Sequence, residues 1–184
     1  MLRVERLVRE EQIRNMIKLY KKQVKAIIDL LNSEPCKTRP ALQTMRIKRD
    51  GYGYITNGYI VIRFKFELEP EPKDDKQEEF IIPVEKFYIW WKSAKTKDYL
   101  DEITLCNMHE DNEFEYPKMD LIMKEKRGNS ILVSESFIHE PYIDIFTKIC
   151  GYSDIKIEFM STHGIYLTSL DEPIDGFFFE INRR

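Results

Sequence analysis

Between residues 13 and 31, apolar side chains return about every 3.6 residues, a period that predicts a long amphipathic helix. The apolar stripe consists of Ile13, Met16, Ile17, Tyr20, Val24, Ile27, Ile28 and Leu31. The neighbouring face is basic and carries Arg14, Lys18, Lys21, Lys22 and Lys25. We expect this helix to begin upstream, near Glu5, and to end by Pro35, in a stretch of polar caps and proline. One face therefore requires a core, and the next offers positive charge.

After residue 41 the period of apolar residues shortens to two, which predicts β-strands. Strands are expected at residues 42–48 and 52–56, joined by a tight turn at Gly51. A second turn at Gly58 leads into residues 60–68, whose strict alternation predicts the clearest half-buried strand in the chain. The spacing of these strands is typical of an antiparallel sheet.

A second helix is predicted from Pro83 to about Lys97, because proline fits a first helical turn and apolar residues follow at helical spacing. A short strand at residues 80–82 precedes it. Ile103 and Leu105 predict a strand after it.

The last third of the chain repeats this order of elements. Alternating apolar residues predict strands at 119–123 and 131–133, and Glu140 opens a third helix for which Gly151 is the left-handed C-terminal cap. Three more strands are expected, at 155–159, 165–168 and 177–181.

These elements predict an α+β fold, a largely antiparallel sheet with three helices packed on one face. We expect residues 1–184 to form a single globular domain of repeated helix and strand units. It could divide into sub-units at 1–68, 80–125 and 130–184. The segment 69–79 is acidic and carries two of the chain's prolines, which predicts an exposed loop.

The composition, 42% hydrophobic and 12% aromatic, is that of a folded globular protein. No apolar run approaches the roughly 20 residues that cross a bilayer, and the N-terminus lacks the apolar core of a signal peptide. Cys36, Cys106 and Cys150 lie far apart and fit free thiols in a reducing compartment. We therefore expect a soluble cytoplasmic protein without membrane contact. The formal net charge of -3 excludes a protein coated in basic charge, but not a local basic surface.

Three stretches resemble the DNA sliding clamp family, that of the bacterial DNA polymerase III beta subunit. The first, RPALQTMRIKRDGYGYITNGYIVIRF, is similar to a strand, turn and strand of that family, with the turn at Thr56-Asn57-Gly58-Tyr59-Ile60. The second, FIIPVEKFYIWWKSA, resembles a strand that ends in Ile-Pro and leads into a helix. The third, ILVSESFIHEPYIDIFTKICGYSDIKIEF with the strands after it, resembles the closing elements of a clamp domain.

The resemblance implies a ring or arc whose helices face DNA and whose sheets form the outside. A clamp of this family has three domains of two units each, whereas this chain has room for about three units. A closed ring would therefore require a homo-oligomer. The protein is then expected to have no enzymatic role, and its expected partners are duplex DNA or a DNA-processing protein.

Basic residues on the first two helices are the candidate nucleic-acid contacts, because lysine and arginine neutralise backbone phosphates whatever the base sequence. The candidates are Arg14, Lys18, Lys21, Lys22, Lys25, Lys92 and Lys95. The alternative interpretation is a solvated helix face, whose charge Glu10, Glu11 and Asp29 dilute.

Chemistry of other kinds has little support. Cys106 and His109 have the spacing of half a zinc site, but no second pair accompanies them. The sequence contains neither a nucleophile elbow nor a glycine-rich phosphate loop. We expect no enzyme activity, no metal and no cofactor, and a small enzyme of unrecognised class stays a third alternative.

The run from Phe87 to Trp91 cannot face one core, because consecutive helical positions diverge by about 100 degrees. Trp90 is either packed on a second surface or exposed as a partner-binding residue. Acidic segments at 67–79 and 109–115 support an alternative function, a regulator or inhibitor of mobile-element type. Such a protein would occupy a partner's nucleic-acid site with acidic loops and exposed aromatic residues.

Overall fold

The computed structural model describes residues 17–66, 79–111, 114–119, 140–159 and 164–179. Within these ranges the protein is an α+β fold built on a seven-stranded antiparallel sheet. The fold class predicted from the sequence is thus confirmed. No helix of the described residues is long and apolar enough to cross a membrane.

The main sheet has seven strands: β2 (Thr44–Lys48), β3 (Tyr52–Thr56), β4 (Ile60–Lys65), β5 (Glu79–Pro83), β7 (Ile155–Phe159), β8 (Gly164–Ser169) and β9 (Ile174–Phe179). Their order across the sheet is β5-β2-β3-β4-β9-β8-β7, with antiparallel neighbours throughout. A separate two-stranded ribbon pairs β1 (Lys18–Tyr20) with β6 (Tyr99–Asp101).

The turns between β2, β3 and β4 follow the prediction. Gly51 and Gly58 have φ of 79° and 89°, a region that glycine enters without steric cost. The side chain of Asn57 accepts hydrogen bonds from the backbone N–H groups of Tyr59 and Ile60, at 3.0 and 3.1 Å. This Asx-type turn sets the register of the hairpin.

Five helices lie in the described ranges: α1 (Lys21–Leu31), α2 (Glu34–Lys37), α3 (Val84–Ser93), α4 (Glu102–Asn107) and α5 (Glu140–Ile149). The central helix α1 packs against both α3 and α5. One hydrophobic core joins these helices to a single face of the sheet, because alternate residues of β4, Ile60, Ile62 and Phe64, all point into it. Three helices therefore cover one face, as predicted.

The opposite face of the sheet carries a smaller cluster formed by Tyr54, Val61, Met119, Tyr166 and Phe177. Met119 is helical, so the strand predicted around it does not begin there. The rest of that strand, the strand at 131–133 and residues 67–78 of the acidic loop lie outside the described residues.

The first helix begins later than its pattern predicts. Lys18, Leu19 and Tyr20 form β1, and the helix starts at Lys21, so the prediction of a helix across residues 18–20 was wrong. Ile17 and Leu19 are buried while Tyr20 is exposed, an alternation typical of an extended chain, and β1 pairs with β6. The buried carboxylate of Glu102 accepts the Ile17 N–H at 2.9 Å, which anchors the strand. Residues 13–16 lie outside the described ranges.

The second helix was predicted at the right start but too long. Pro83 is its N-cap, and it ends at Ser93 because Ala94 is extended (φ -68°, ψ 144°). The strand predicted at Ile103 and Leu105 was wrong. These residues belong to α4, whose N-cap Asp101 accepts the Thr104 N–H at 2.8 Å.

Candidate nucleic-acid interface

A groove of about 490 Å³ opens on the outer side of the helix layer, where α1, α3 and the end of α5 meet. Its lining residues are Lys21, Lys22, Lys25, Ala26, Asp29, Trp91, Thr96, Lys148 and Tyr152. We call it the lysine groove. Four lysines against one carboxylate make this concave surface locally positive, although the whole chain has a formal net charge of -3.

Trp91 organises the α1 side of the lysine groove. The Nζ atoms of Lys21 and Lys25 lie 5.5 and 5.9 Å from the centre of its indole ring, within cation–π distance. Lys21 also donates to the carbonyl oxygen of Ala94, at the end of α3. These contacts hold the start of α1 against the end of α3 and keep two ammonium groups side by side.

Gln23 fixes the other wall. This buried side chain accepts the Tyr20 N–H at 2.9 Å and donates to the Ile149 carbonyl at 2.8 Å, at the end of α5. Gly151 follows with φ of 70°, and a Cβ there would lie 3.3 Å from Gln23 Nε2. The close approach that glycine permits places Lys148 and Tyr152 beside α1.

Two of the groove lysines have carboxylate partners. Lys25 pairs with Asp29, and Lys148 pairs with Asp144 one helical turn away. The hydrogen bond to Asp144 raises the pKa of Lys148 and keeps that side chain charged. For Lys22, the described residues supply no ion pair, so its charge faces solvent.

The structure brings together only some of the residues proposed from the sequence. Lys21, Lys22 and Lys25 line the lysine groove. Lys92 lies outside its lining, with its Nζ 4.4 Å from the centre of the Tyr88 ring. The backbone N–H of Lys95 donates to Asp98 at 2.7 Å, in the loop after α3.

The remaining candidates lie outside the groove lining or outside the described residues. Lys18 belongs to β1 and not to the helix, and its Nζ lies 5.6 Å from the Tyr99 ring centre. Arg14 is outside the described residues. Trp90 is half-buried and packs against the main core, while its neighbour Trp91 lines the groove.

Sequence reasoning missed Lys148, Tyr152 and Gln23. Lys148 lies four residues after Asp144, which marks a solvent-facing position on α5 but not the helix that it approaches. Gln23 falls among the buried positions of α1 and has no periodic signature of its own. These residues became recognisable only once the packing of α1 against α5 was known.

His109, one of the two residues with the spacing of half a zinc site, makes structural contacts instead. His109 Nδ1 accepts the Ile81 N–H at 2.9 Å, and its Nε2 lies 3.3 Å from Asp111. Within the described ranges, no group of three or more His, Cys, Asp or Glu side chains is arranged to hold a metal. His109 thus joins a loop to the edge strand β5.

All three cysteines are free thiols, as predicted. Burial raises the pKa of the Cys106 thiol to about 11 and that of Cys150 to about 12, and it also raises the pKa of Cys36. A protonated thiol is a poor nucleophile at neutral pH. These cysteines therefore contribute to packing and not to nucleophilic chemistry.

The acidic segment at 109–115 is partly tied to the fold. Glu110 pairs with Lys86 at 2.6 Å, and its backbone N–H donates to Ile81 at 2.9 Å. Phe114 supplies a carbonyl oxygen to Arg46 Nη2 at 2.9 Å. These contacts tie Glu110 to α3 and β5, and Phe114 to β2.

Comparison with known proteins finds the sliding-clamp fold. DNA polymerase III subunit beta from Borrelia burgdorferi superposes with a TM-score of 0.53 at 14% identity, over 92% of this chain and 64% of that one. The beta subunit from Streptococcus pyogenes gives 0.52 at 12% identity, over 91% and 66%. The beta chain from Streptococcus pneumoniae gives 0.50 at 13% identity, over 91% and 65%.

No family model matches the sequence, and neither does any curated protein. The resemblance read from the sequence is thus confirmed for the fold. The chain spans somewhat less than two thirds of the length of the clamp subunits that it matches.

Proposed function

We propose that this protein is a non-enzymatic, clamp-like protein that binds duplex DNA through the lysine groove. The observation that carries the proposal is the convergence of Lys21, Lys22, Lys25 and Lys148 from two helices on one concave surface. The fold supports it, since the structures with which this chain superposes are sliding clamps.

The chemistry of the lysine groove suits a phosphate backbone. Lysine ammonium groups donate hydrogen bonds to phosphate oxygens without reading the bases, and the gain comes largely from released counterions. Lys22 offers an unpaired charge among the described residues, and Lys25 and Lys148 would exchange a surface carboxylate for a phosphate. Solvent screens exposed ion pairs, so this exchange costs little.

The mechanism that follows is topological and electrostatic. Helices would face the duplex and the seven-stranded sheet would face outward. Because encircling a duplex requires a closed ring, we propose that copies of the chain self-associate. Light scattering behind gel filtration measures this directly: a defined oligomer supports encirclement, and a monomer that still binds DNA removes encirclement from the proposal.

Charge reversal tests the duplex contact. The double variant Lys22→Glu, Lys148→Glu should lose most of its affinity for a labelled duplex, measured by fluorescence anisotropy at low salt. The matched control is Lys37→Glu, Lys156→Glu, which makes the same change in net charge on exposed lysines outside the groove. Equal losses in both variants, or no loss in the first, would contradict the proposal.

A protein regulator remains the second prediction from the sequence. Its physical basis, the acidic segments, lies mostly outside the described residues or in internal ion pairs such as Glu110–Lys86. Recovery of one stoichiometric protein partner without DNA, together with an absence of duplex binding, would favour it.

A further inference from the structure

Exposed aromatic rings lie beside the lysine groove in two contacting pairs. The tyrosines Tyr20, Tyr88 and Tyr99 are 47%, 43% and 43% exposed, and Trp91 is half-buried beside them. These four residues come from β1, α3 and β6, three separate elements. We call them the aromatic strip.

Direct ring contacts join the strip in two pairs. Tyr20 and Tyr99 meet edge to face with their centroids 5.7 Å apart, and Tyr88 stacks on Trp91 at 6.2 Å. Lys21 connects the pairs, because it follows Tyr20 in the chain and its Nζ lies 5.5 Å from the Trp91 ring centre. The two pairs therefore lie on elements that meet at Lys21.

A lysine accompanies each end of the strip. Lys18 Nζ lies 5.6 Å from the Tyr99 ring centre, and Lys92 Nζ lies 4.4 Å from that of Tyr88. Neither lysine has an ion pair among the described residues. The nearby carboxylates of Asp98 and Asp101 accept backbone N–H groups, from Lys95 and from the first turn of α4, and form no ion pair with these two lysines.

We infer that the aromatic strip binds single-stranded nucleic acid, with unpaired bases stacked on the tyrosine rings and phosphates held by Lys18 and Lys92. Rings interleaved with cations are the combination that such strands require, because every base has a π-face and every linkage a negative charge. A duplex cannot use the rings in this way, since its bases are already stacked on each other. The inference thus goes beyond the proposed duplex binding and does not depend on it.

The test compares two labelled strands of equal length, oligothymidylate and an abasic oligomer that keeps every phosphate but has no bases. The wild-type protein should bind oligothymidylate more tightly. The double variant Tyr20→Ala, Tyr99→Ala should lose about fivefold or more of that affinity, as expected for one lost base stack. Its affinity for the abasic oligomer should stay within about twofold, because no phosphate contact is removed.

Two controls separate stacking from general damage. Tyr59→Ala removes a tyrosine that is 58% exposed at the β3–β4 turn, outside the strip, and should leave both affinities unchanged. Tyr20→Phe with Tyr99→Phe keeps the rings and should retain wild-type binding. Circular dichroism confirms that each variant is folded.

The outcomes are decisive in both directions. Equal wild-type affinity for the two strands, or an equal loss for both in the alanine variant, overturns the inference. Duplex binding measured in parallel separates the two proposals. A duplex bound without base-dependent single-strand binding sinks only this inference, and the reverse result sinks only the proposed duplex contact.

Discussion

Arg63 and Asp175 face each other in register across β4 and β9, and the guanidinium makes two hydrogen bonds to the carboxylate. Tyr166 donates its hydroxyl to the same carboxylate, and the Tyr52 ring lies 4.9 Å from Arg63 Cζ. This cluster joins the N-terminal part of the sheet to its C-terminal part. It adds a side-chain connection to the backbone pairing of β4 with β9.

Asp175→Asn should destabilise the protein by about 2–3 kcal/mol, because it leaves the guanidinium of Arg63 largely buried without a counter-charge. The free energy of unfolding in urea measures the effect. Asp144→Asn, which removes an exposed ion pair on α5, should leave it nearly unchanged, because solvent screens that pair. Similar values for the two variants would show that the junction contributes no more than a surface pair.

Gly176 lies where the Phe146 ring of α5 packs on the sheet. A Cβ there would be 2.9 Å from the Phe146 ring and 3.3 Å from the Val61 carbonyl oxygen. We expect Gly176→Ala to cost about 1–3 kcal/mol through overpacking. In a double-mutant cycle, Phe146→Leu should relieve part of that cost, and strictly additive values would argue against the clash.

Gln23→Leu tests how the groove is positioned. The change removes the bonds to Tyr20 and Ile149 but no charge, so Lys148 and Tyr152 should lose their fixed place beside α1. Duplex affinity is expected to fall several-fold, and its dependence on salt concentration should weaken by up to about one unit of slope, because the phosphate contact of Lys148 is weakened. Unchanged affinity and slope would mean that Gln23 does not position the groove.

The buried thiols predict a loss of stability in alkali. Because burial raises the pKa of Cys106 to about 11 and of Cys150 to about 12, the folded protein keeps protons that the unfolded chain releases. Stability is then full below about pH 8.5, the pKa of an unperturbed thiol, and falls as the pH rises. Near pH 10 the loss should be about 1–2 kcal/mol for Cys150 and smaller for Cys106, which is partly exposed and therefore screened by solvent.

Urea unfolding of the wild type and of Cys106→Ala across this pH range checks the thiol effect. Each is compared with its own stability at neutral pH, so the packing cost of the substitution cancels. A pH dependence that is identical in the two proteins would contradict the assignment to Cys106.

Most of the fold could be predicted from the sequence, but little of the candidate site could. Strands such as β4 were predictable because their core-facing residues are apolar at every second position, a pattern that fits a strand and not a helix. The helix start was missed because Ile17 satisfies both a helical stripe and the alternation of β1, and only pairing with β6 decides between them. Glu102, the anchor of Ile17, is 85 residues away in the chain.

The lysine groove was half predictable for the same reason. Lys21, Lys22 and Lys25 share one helix and could be read from its period. Lys148, Trp91 and Tyr152 reach the groove only through helix packing, which leaves no local signal. Lys18 and Lys92, grouped with the helix lysines in the prediction, instead accompany the aromatic strip.

The salt dependence of duplex affinity tests the central claim most directly. On a double logarithmic plot, the wild-type affinity should fall with salt with a slope of about -3, as expected when three or four lysines neutralise phosphates. The Lys22→Glu, Lys148→Glu variant should reduce that slope by about two units. A wild-type slope near zero, or an unchanged slope in the variant, would contradict duplex binding through the lysine groove.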